Sequence, residues 1–311
     1  MNILVFGGTG TLGKALVSTL KESKEFRVIA PQRNELNLDD YFSLLQYLEK
    51  QQTDWLINAA GHVGGVQYNI TNPLDLMMSN SISTLNVLRA AAKTEVKRMF
   101  YLAPACVYPR NIDRDVKTED LWKGEPETTS LPYASSKLFG IELVKAANKQ
   151  LGTNWKVLIP TNIFGSGDWE HNESGHVVSM LTDKIVRAKQ TGGNIEIWGS
   201  GNQRRDFLSA KDFSKFVNYV IERNVDIPEI TNVNGYGEIS IRELVDLICE
   251  RVDYHGELFF NTSMPEGALR KTLSSEDLDK INYQHKNNFA NALNEYIEEY
   301  LESRNGNKRG N

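Results

Sequence analysis

The chain opens on an unbroken apolar run, Ile3 to Phe6, as a strand buried on both faces should. Beyond a glycine-rich turn, Leu12, Ala15, Leu16 and Leu20 recur at helical spacing. Further strands are predicted at Arg27–Pro31, Trp55–Ala60, Met99–Ala103 and Trp155–Pro160, with helical patterns between them over about 39–50, 74–93 and 133–150. Strands alternating with helices imply βαβ units, right-handed crossovers and a doubly wound parallel sheet, an α/β Rossmann fold.

After Pro160 the pattern loosens. Residues 164–175 are rich in Gly, Asp, Asn, Glu and Ser and read as a loop. A helix over about 176–190, a strand at Ile195–Trp198 with a Gly-Ser-Gly turn, and a helix over Ile239–Val252 follow. Ser240 and Glu243 form a capping box at that helix, and Asp212 reads as the cap of an apolar helix before it. A last helix is expected over about 288–302, and the polar tail 303–311 is expected to be disordered. No repeat or linker divides the chain. The expected domains are therefore interleaved: a dinucleotide-binding unit from 1–163 that also receives about 206–238, and a smaller substrate domain from 164–205 and 239–302.

Composition narrows the classes. The 311 residues carry a formal charge of −5, which argues against a nucleic-acid partner. No apolar run approaches the roughly 20 residues of a membrane helix. Cys106 and Cys249 are the two cysteines, too few for a disulfide framework, and no basic-then-apolar leader follows Met1. A cytoplasmic protein with no membrane association is expected. His62, His171, His255 and His285 show no clustered ligand spacing, so no metal is expected.

Gly7, Gly10 and Gly13 make G-x-x-G-x-x-G between the first strand and first helix. Glycines there let the backbone approach a pyrophosphate, while Thr11, Leu12 and Gly13 open a helix whose free N–H groups and dipole favour an anion. The second strand ends at Arg33 without an acidic residue before Glu35. That favours a 2′-phosphate, and hence NADP(H), over the ribose hydroxyls of NAD. Tyr133 and Lys137, four apart, share one helix face. An ammonium and a positive nicotinamide both lower a phenol's pKa, so Tyr133 is a candidate proton donor at a carbonyl oxygen, with Lys137 also holding ribose hydroxyls.

With these motifs the chain resembles the extended short-chain dehydrogenase/reductases over nearly its whole length. Within them it is most similar to the branch that epimerises a GDP-4-keto-6-deoxy sugar at C3 and C5 and reduces it at C4, as in GDP-fucose formation. The matching stretches are Ala59-Ala60-Gly61-His62-Val63-Gly64-Gly65-Val66, Cys106-Val107-Tyr108-Pro109, Pro132-Tyr133-Ala134-Ser135-Ser136-Lys137 and Pro160-Thr161-Asn162-Ile163-Phe164-Gly165. Gly175-His176-Val177-Val178, Trp198-Gly199-Ser200-Gly201 and Arg270-Lys271 complete the series.

The resemblance implies Tyr133, Lys137, Cys106 and His176 as catalytic, the last two as the acid/base pair at C3 and C5. It adds Ala59, Ala60, Pro160, Asn162, Ile163 and His176 to the cofactor site. It assigns Asn162, Lys184, Trp198, Arg205, Arg270 and Lys271 to the nucleotide-sugar, and it implies a homodimer built on the helices at 74–93 and 133–150. One departure stands out. The family carries serine just before the cysteine, and this chain has Pro104 and Ala105. Losing a polarising donor costs on the order of 10²-fold in related settings; a water, Thr161 or Asn162 is the available substitute. Two alternatives follow: a reductase or epimerase acting on a different GDP-4-keto sugar, such as a 6-deoxyheptose, or a non-catalytic NADP-sensing regulator.

Overall fold

The computed structural model describes residues 1–168, 176–264 and 268–307. His171, Gly175 and most of the expected 164–175 loop lie outside the described residues, as do 308–311. The first half runs β1 (Asn2–Phe6), α1 (Thr11–Lys21), β2 (Arg27–Ile29), α2 (Tyr41–Lys50), β3 (Trp55–Asn58), α3 (Val66–Thr71), α4 (Pro73–Lys93), β4 (Arg98–Leu102), α5 (Leu131–Leu151) and β5 (Asn154–Pro160). There follow β6 (Asn162–Phe164), α6 (Val177–Thr191), β7 (Ile195–Trp198), β8 (Arg204–Ser209), α7 (Ala210–Glu222), β9 (Ile230–Val233) and β10 (Glu238–Ser240). The chain ends through α8 (Ile241–Val252), β11 (Leu258–Asn261), β12 (Arg270–Lys271), α9 (Glu276–Lys280) and α10 (Phe289–Asn307).

Six parallel strands form the main sheet in the order β2-β1-β3-β4-β5-β9. Its apolar runs are buried on both sides because alternate residues feed two cores. Leu4, Phe6, Leu56, Met99, Tyr101 and Val157 point to the face covered by Leu44 of α2, Val87 of α4 and Ile141 of α5. Ile3, Val5, Ile57, Phe100 and Leu158 point to the opposite face, against Leu16 of α1 and Phe213 and Val217 of α7. A third core joins Phe164, Ile185 of α6, Ile248 of α8 and Ile297 of α10.

The second sheet is built around β8, which pairs antiparallel with β10 and parallel with β12 and β6. Within 206–238, β9 joins the main sheet and α7 packs on its face, whereas β8 belongs to the second sheet, as does β6. Strand β8 is a seam: Phe207 enters the third core while Leu208 enters the second. Residues 276–283 also return to the main sheet, where Leu278 and Tyr283 pack against the α7 face.

Two local expectations need correction. The last helix does not stop at 302 but continues to Asn307, because Tyr300 and Arg304 both donate to the Asp183 carboxylate of α6 and anchor its final turns. The cap of α7 is Ser209, whose hydroxyl accepts from the Asp212 N–H at 3.1 Å; Asp212 sits in the first turn. The Ser240–Glu243 capping box is present. Among the described residues no helix is long and apolar enough to cross a membrane.

Candidate active site

The order of the main sheet reverses between β1 and β3, and open α/β sheets bind ligands in the crevice beyond the strand ends at that point. Gly7 leaves β1 there with φ +80, and a Cβ on it would lie 2.6 Å from the Ala60 nitrogen beyond β3. A Cβ on Gly13 would lie 1.9 Å from the Gly7 carbonyl oxygen. Only glycine lets the turn, α1 and the Ala59–Ala60 segment close on one another. Gly10 caps α1 with no side-chain bond, so the Thr11, Leu12 and Gly13 N–H groups face outward from the helix start. This cradle fits a dinucleotide pyrophosphate. Arg33 is exposed beyond β2 with no ion pair among the described residues, and the nearby Glu35 carboxylate accepts from the Gln32 N–H at 2.7 Å.

Helix α5 brings Tyr133 and Lys137 to the same end of the sheet. Lys137 is only 3% exposed. Its ammonium donates to the Ala60 carbonyl at 3.2 Å, 5.5 Å from the Tyr101 ring centre and 6.0 Å from that of Tyr133. Burial pulls Lys137 down to about 8. Asn80, a polar residue inside the apolar pattern of α4, holds the segment beside this lysine. Its Oδ1 accepts from the His62 N–H at 3.0 Å, and its Nδ2 donates to the His62 carbonyl at 2.9 Å. No motif singles this residue out; an isolated asparagine within an apolar helix pattern was the available signal for it. Tyr133 departs from expectation: burial, with Cys106 and Tyr101 adding to it, pushes the phenol well up, so the Lys137 ammonium alone does not lower it.

Cys106 is a free, half-buried thiol on the 3-10 turn Ala105–Val107, next to the start of α5. Burial pushes it up; the Lys271 ammonium, a hydrogen bond with the Ser130 hydroxyl and the Lys137 charge pull it back. The substitutes named for the missing serine are committed elsewhere. Thr161 Oγ1 and Asn162 Nδ2 donate to the Asp206 carbonyl at 3.0 and 2.8 Å. The buried Asp206 carboxyl, pushed up to about 7 by burial, accepts from the Gly235 and Gly237 N–H groups.

The basic pair divides. Arg270 lies opposite Arg204 and Lys271 opposite Arg205 in the β12–β8 register. Arg204 and Arg270 both pair with Glu238, and Arg270 also meets Asp115 at 3.0 Å. Alternation sends Arg205 and Lys271 to the other face, so Arg270 is not brought to the thiol with its neighbour. Arg205 is largely buried and donates to the Arg204 and Ala268 carbonyls at 2.7 and 2.8 Å. Trp198 ends β7 at 58% exposure, and Lys184 of α6 donates to the Glu196 carbonyl. His176 is the exposed N-cap of α6, and no hydrogen bond joins its ring to Cys106 or Tyr133 among the described residues. Pro160 and Ile163 flank Thr161 and Asn162 at the end of β5 and start of β6.

The model of the family described as NAD dependent epimerase/dehydratase matches residues 3–234, which span the cradle, Cys106 and α5. The chain belongs to this family. It is 34% identical over 300 residues to GDP-L-fucose synthase of Sinorhizobium fredii, covering 96% of this chain and 95% of that protein. It is 29% identical over 307 residues to GDP-L-colitose synthase of Yersinia pseudotuberculosis, covering 98% and 99%. Among epimerase/dehydratase structures it resembles a GDP-L-fucose synthetase from Naegleria fowleri bound to NADP, with TM-score 0.88, 26% identity, and coverage of 98% and 93%.

Proposed function

We propose that the chain is a cytoplasmic, homodimeric, NADP(H)-dependent epimerase-reductase that converts a GDP-4-keto-6-deoxy sugar to its 3,5-epimerised, 4-reduced product, as a GDP-L-fucose synthase does. The observation that carries this is the meeting of Tyr133, Lys137 and Cys106 beside the Gly7–Gly13 cradle at the reversal of the sheet. Thr11, Leu12 and Gly13 would hold the pyrophosphate, Arg33 the 2′-phosphate and Lys137 the ribose hydroxyls. Bound NADPH supplies the hydride for C4.

The protein's own residues do the rest. Tyr133, kept protonated by its burial, donates to the C4 oxygen as charge develops there. Cys106 and His176 exchange the protons on the carbons flanking the ketone, where an enolate is accessible once the carbonyl is polarised. Arg205 and Trp198, from the unit built on 164–205 and 239–302, grip the nucleotide. The homodimer is supported by an apolar stripe on α4: Leu74, Met77, Met78, Ile82 and Leu85 are 41–66% exposed, and Phe139 of α5, which packs against α4, is also exposed. Leu88, by contrast, is buried in the core, and Leu138 and Leu143 pack against it. Two free thiols suit a reducing compartment.

Pro104 and Ala105 favour a second substrate within the same chemistry, a GDP-4-keto sugar such as a 6-deoxyheptose; intact Tyr133, Lys137 and Cys106 oppose a non-catalytic NADP sensor. The test incubates the protein and NADPH in D2O with a panel of GDP-4-keto sugars, read by mass spectrometry and NMR. Deuterium at C3 or C5 together with reduction at C4 supports the assignment. Tyr133→Phe should abolish reduction while leaving NADPH affinity near that of the parent. Reduction without deuterium at either carbon replaces it with a simple 4-ketoreductase.

A further inference from the structure

Cys106 and Lys271 lie far apart in sequence, yet the fold stitches their segments together. The Tyr108 hydroxyl donates to Asn232 Oδ1 at 2.6 Å, and Asn232 Nδ2 donates to the Val116 carbonyl at 2.8 Å. Val116 in turn bridges the segment just after β12: its N–H donates to the Thr272 carbonyl and its carbonyl accepts from the Ser274 N–H, each at 2.9 Å. The segment that carries the thiol is thus tied to the residue next to Lys271. Strand alternation then separates the two cations of β12. Arg270 is neutralised by Glu238 and Asp115 on one face. Lys271, on the other, is half-buried and has no carboxylate partner among the described residues. From the remaining side, α5 presents Tyr133 and Lys137, and its N-cap Ser130, whose hydroxyl donates to the Glu127 carbonyl at 3.3 Å, is among the groups that pull the thiol down.

We propose that Lys271 and Ser130 are positioning residues for Cys106, Lys271 as the counter-ion of its thiolate and Ser130 as the hydrogen-bond partner that aims the sulfur. An unpaired, half-buried ammonium is costly to place beside apolar groups and is stabilised when a negative charge forms next to it. The thiolate takes a proton from carbon and becomes S–H, while the C–H electron pair passes into the enolate. Lys271 keeps its proton throughout. Lys271 thereby serves the acid/base step rather than the nucleotide diphosphate, and Ser130 supplies beside Cys106 a hydroxyl that Pro104 and Ala105 do not. The catalytic use of this arrangement rests on the epimerase assignment; the tuning of the thiol does not.

The test is the pH profile of alkylation of Cys106 by iodoacetamide, without substrate or cofactor, resolved by peptide mass spectrometry. Cys249, buried and pushed up to about 11, is the internal reference for an intact fold. Near neutral pH, Lys271→Met should slow alkylation of Cys106 by about 10-fold, one decade per unit shift. Ser130→Ala should slow it by less, and Lys271→Arg should restore the parent profile. Unchanged Cys106 profiles in both Lys271→Met and Ser130→Ala overturn the proposal. So does a Lys271→Met protein that loses GDP affinity while its thiol behaves as in the parent. A slowed thiol together with no deuterium exchange on any GDP-4-keto sugar supports the tuning and overturns the epimerase assignment instead.

Discussion

Gly140 of α5 has no room for a side chain. A Cβ there would lie 2.2 Å from the Tyr101 hydroxyl oxygen and 2.3 Å from Cζ of the same ring. Tyr101 is fully buried, and its ring stands 5.5 Å from the Lys137 ammonium, so it cannot yield without disturbing the lysine. Two effects compete in Gly140→Ala. Removing a helix-interior glycine stabilises by about 0.5–1 kcal/mol. Forcing a methyl into a packed ring costs about 1–3 kcal/mol. The overlap wins, and the variant should be destabilised by roughly 0.5–2 kcal/mol, a fall in Tm of a few degrees. In a Tyr101→Leu background the obstructing atoms are gone, and the sign should reverse, because only the helix gain remains. The thermal midpoints of the four proteins at one concentration give this coupling directly. NADPH affinity should fall by about 2–30-fold in Gly140→Ala, the range expected when the ring that supports the Lys137 ammonium through a cation–π interaction is displaced. If Gly140→Ala is as destabilising in the Tyr101→Leu background as in the parent, the clash is not its cause, and Tyr101 is not the support of Lys137.

Arg33→Ala should cut the preference for NADPH over NADH by on the order of 10-fold, the scale of one charge-assisted hydrogen bond, read by titrating both cofactors. Lys137 is held at about 8 against its usual 10.5. Between those values the unfolded chain binds more protons than the folded one, so the stability of the parent relative to Lys137→Met should rise as pH climbs through that window; a flat difference in denaturant midpoints over it refutes the buried ammonium. Met78→Glu, which places a charge in the exposed stripe of α4, should shift sedimentation from dimer to monomer at micromolar concentration with the fold intact.

The main sheet was legible because strands buried on both faces leave unbroken apolar runs: Ile3–Phe6, Trp55–Asn58 and Met99–Leu102 needed no partner to be recognised. The glycine cradle and the Tyr133–Lys137 pair were legible for the same local reason, since a turn and a helix face are properties of spacing. Strands β6, β10 and β12 have three, three and two residues, too short for any period to show, and they exist because β8 offers them backbone partners.

The chemistry divides along the same line. The residue types that make the glycine cradle and the Tyr133–Lys137 helix face, and their order, were written in the sequence, because each depends on neighbours a few positions away. Which cation reaches the thiol was not. Arg270 and Lys271 are adjacent and both basic, and only the pairing of β12 with β8 sends one to Glu238 and the other towards Cys106. Nor did Tyr133 reveal its direction of shift, because burial is set by residues from separate segments of the chain. Thr161 and Asn162 look available as hydroxyl and amide donors in the sequence, but Asp206, distant along the chain, takes both hydrogen bonds in the fold. Local spacing decides what a side chain is able to do; the long-range contacts that desolvate it, pair it or leave it unpaired decide what it does.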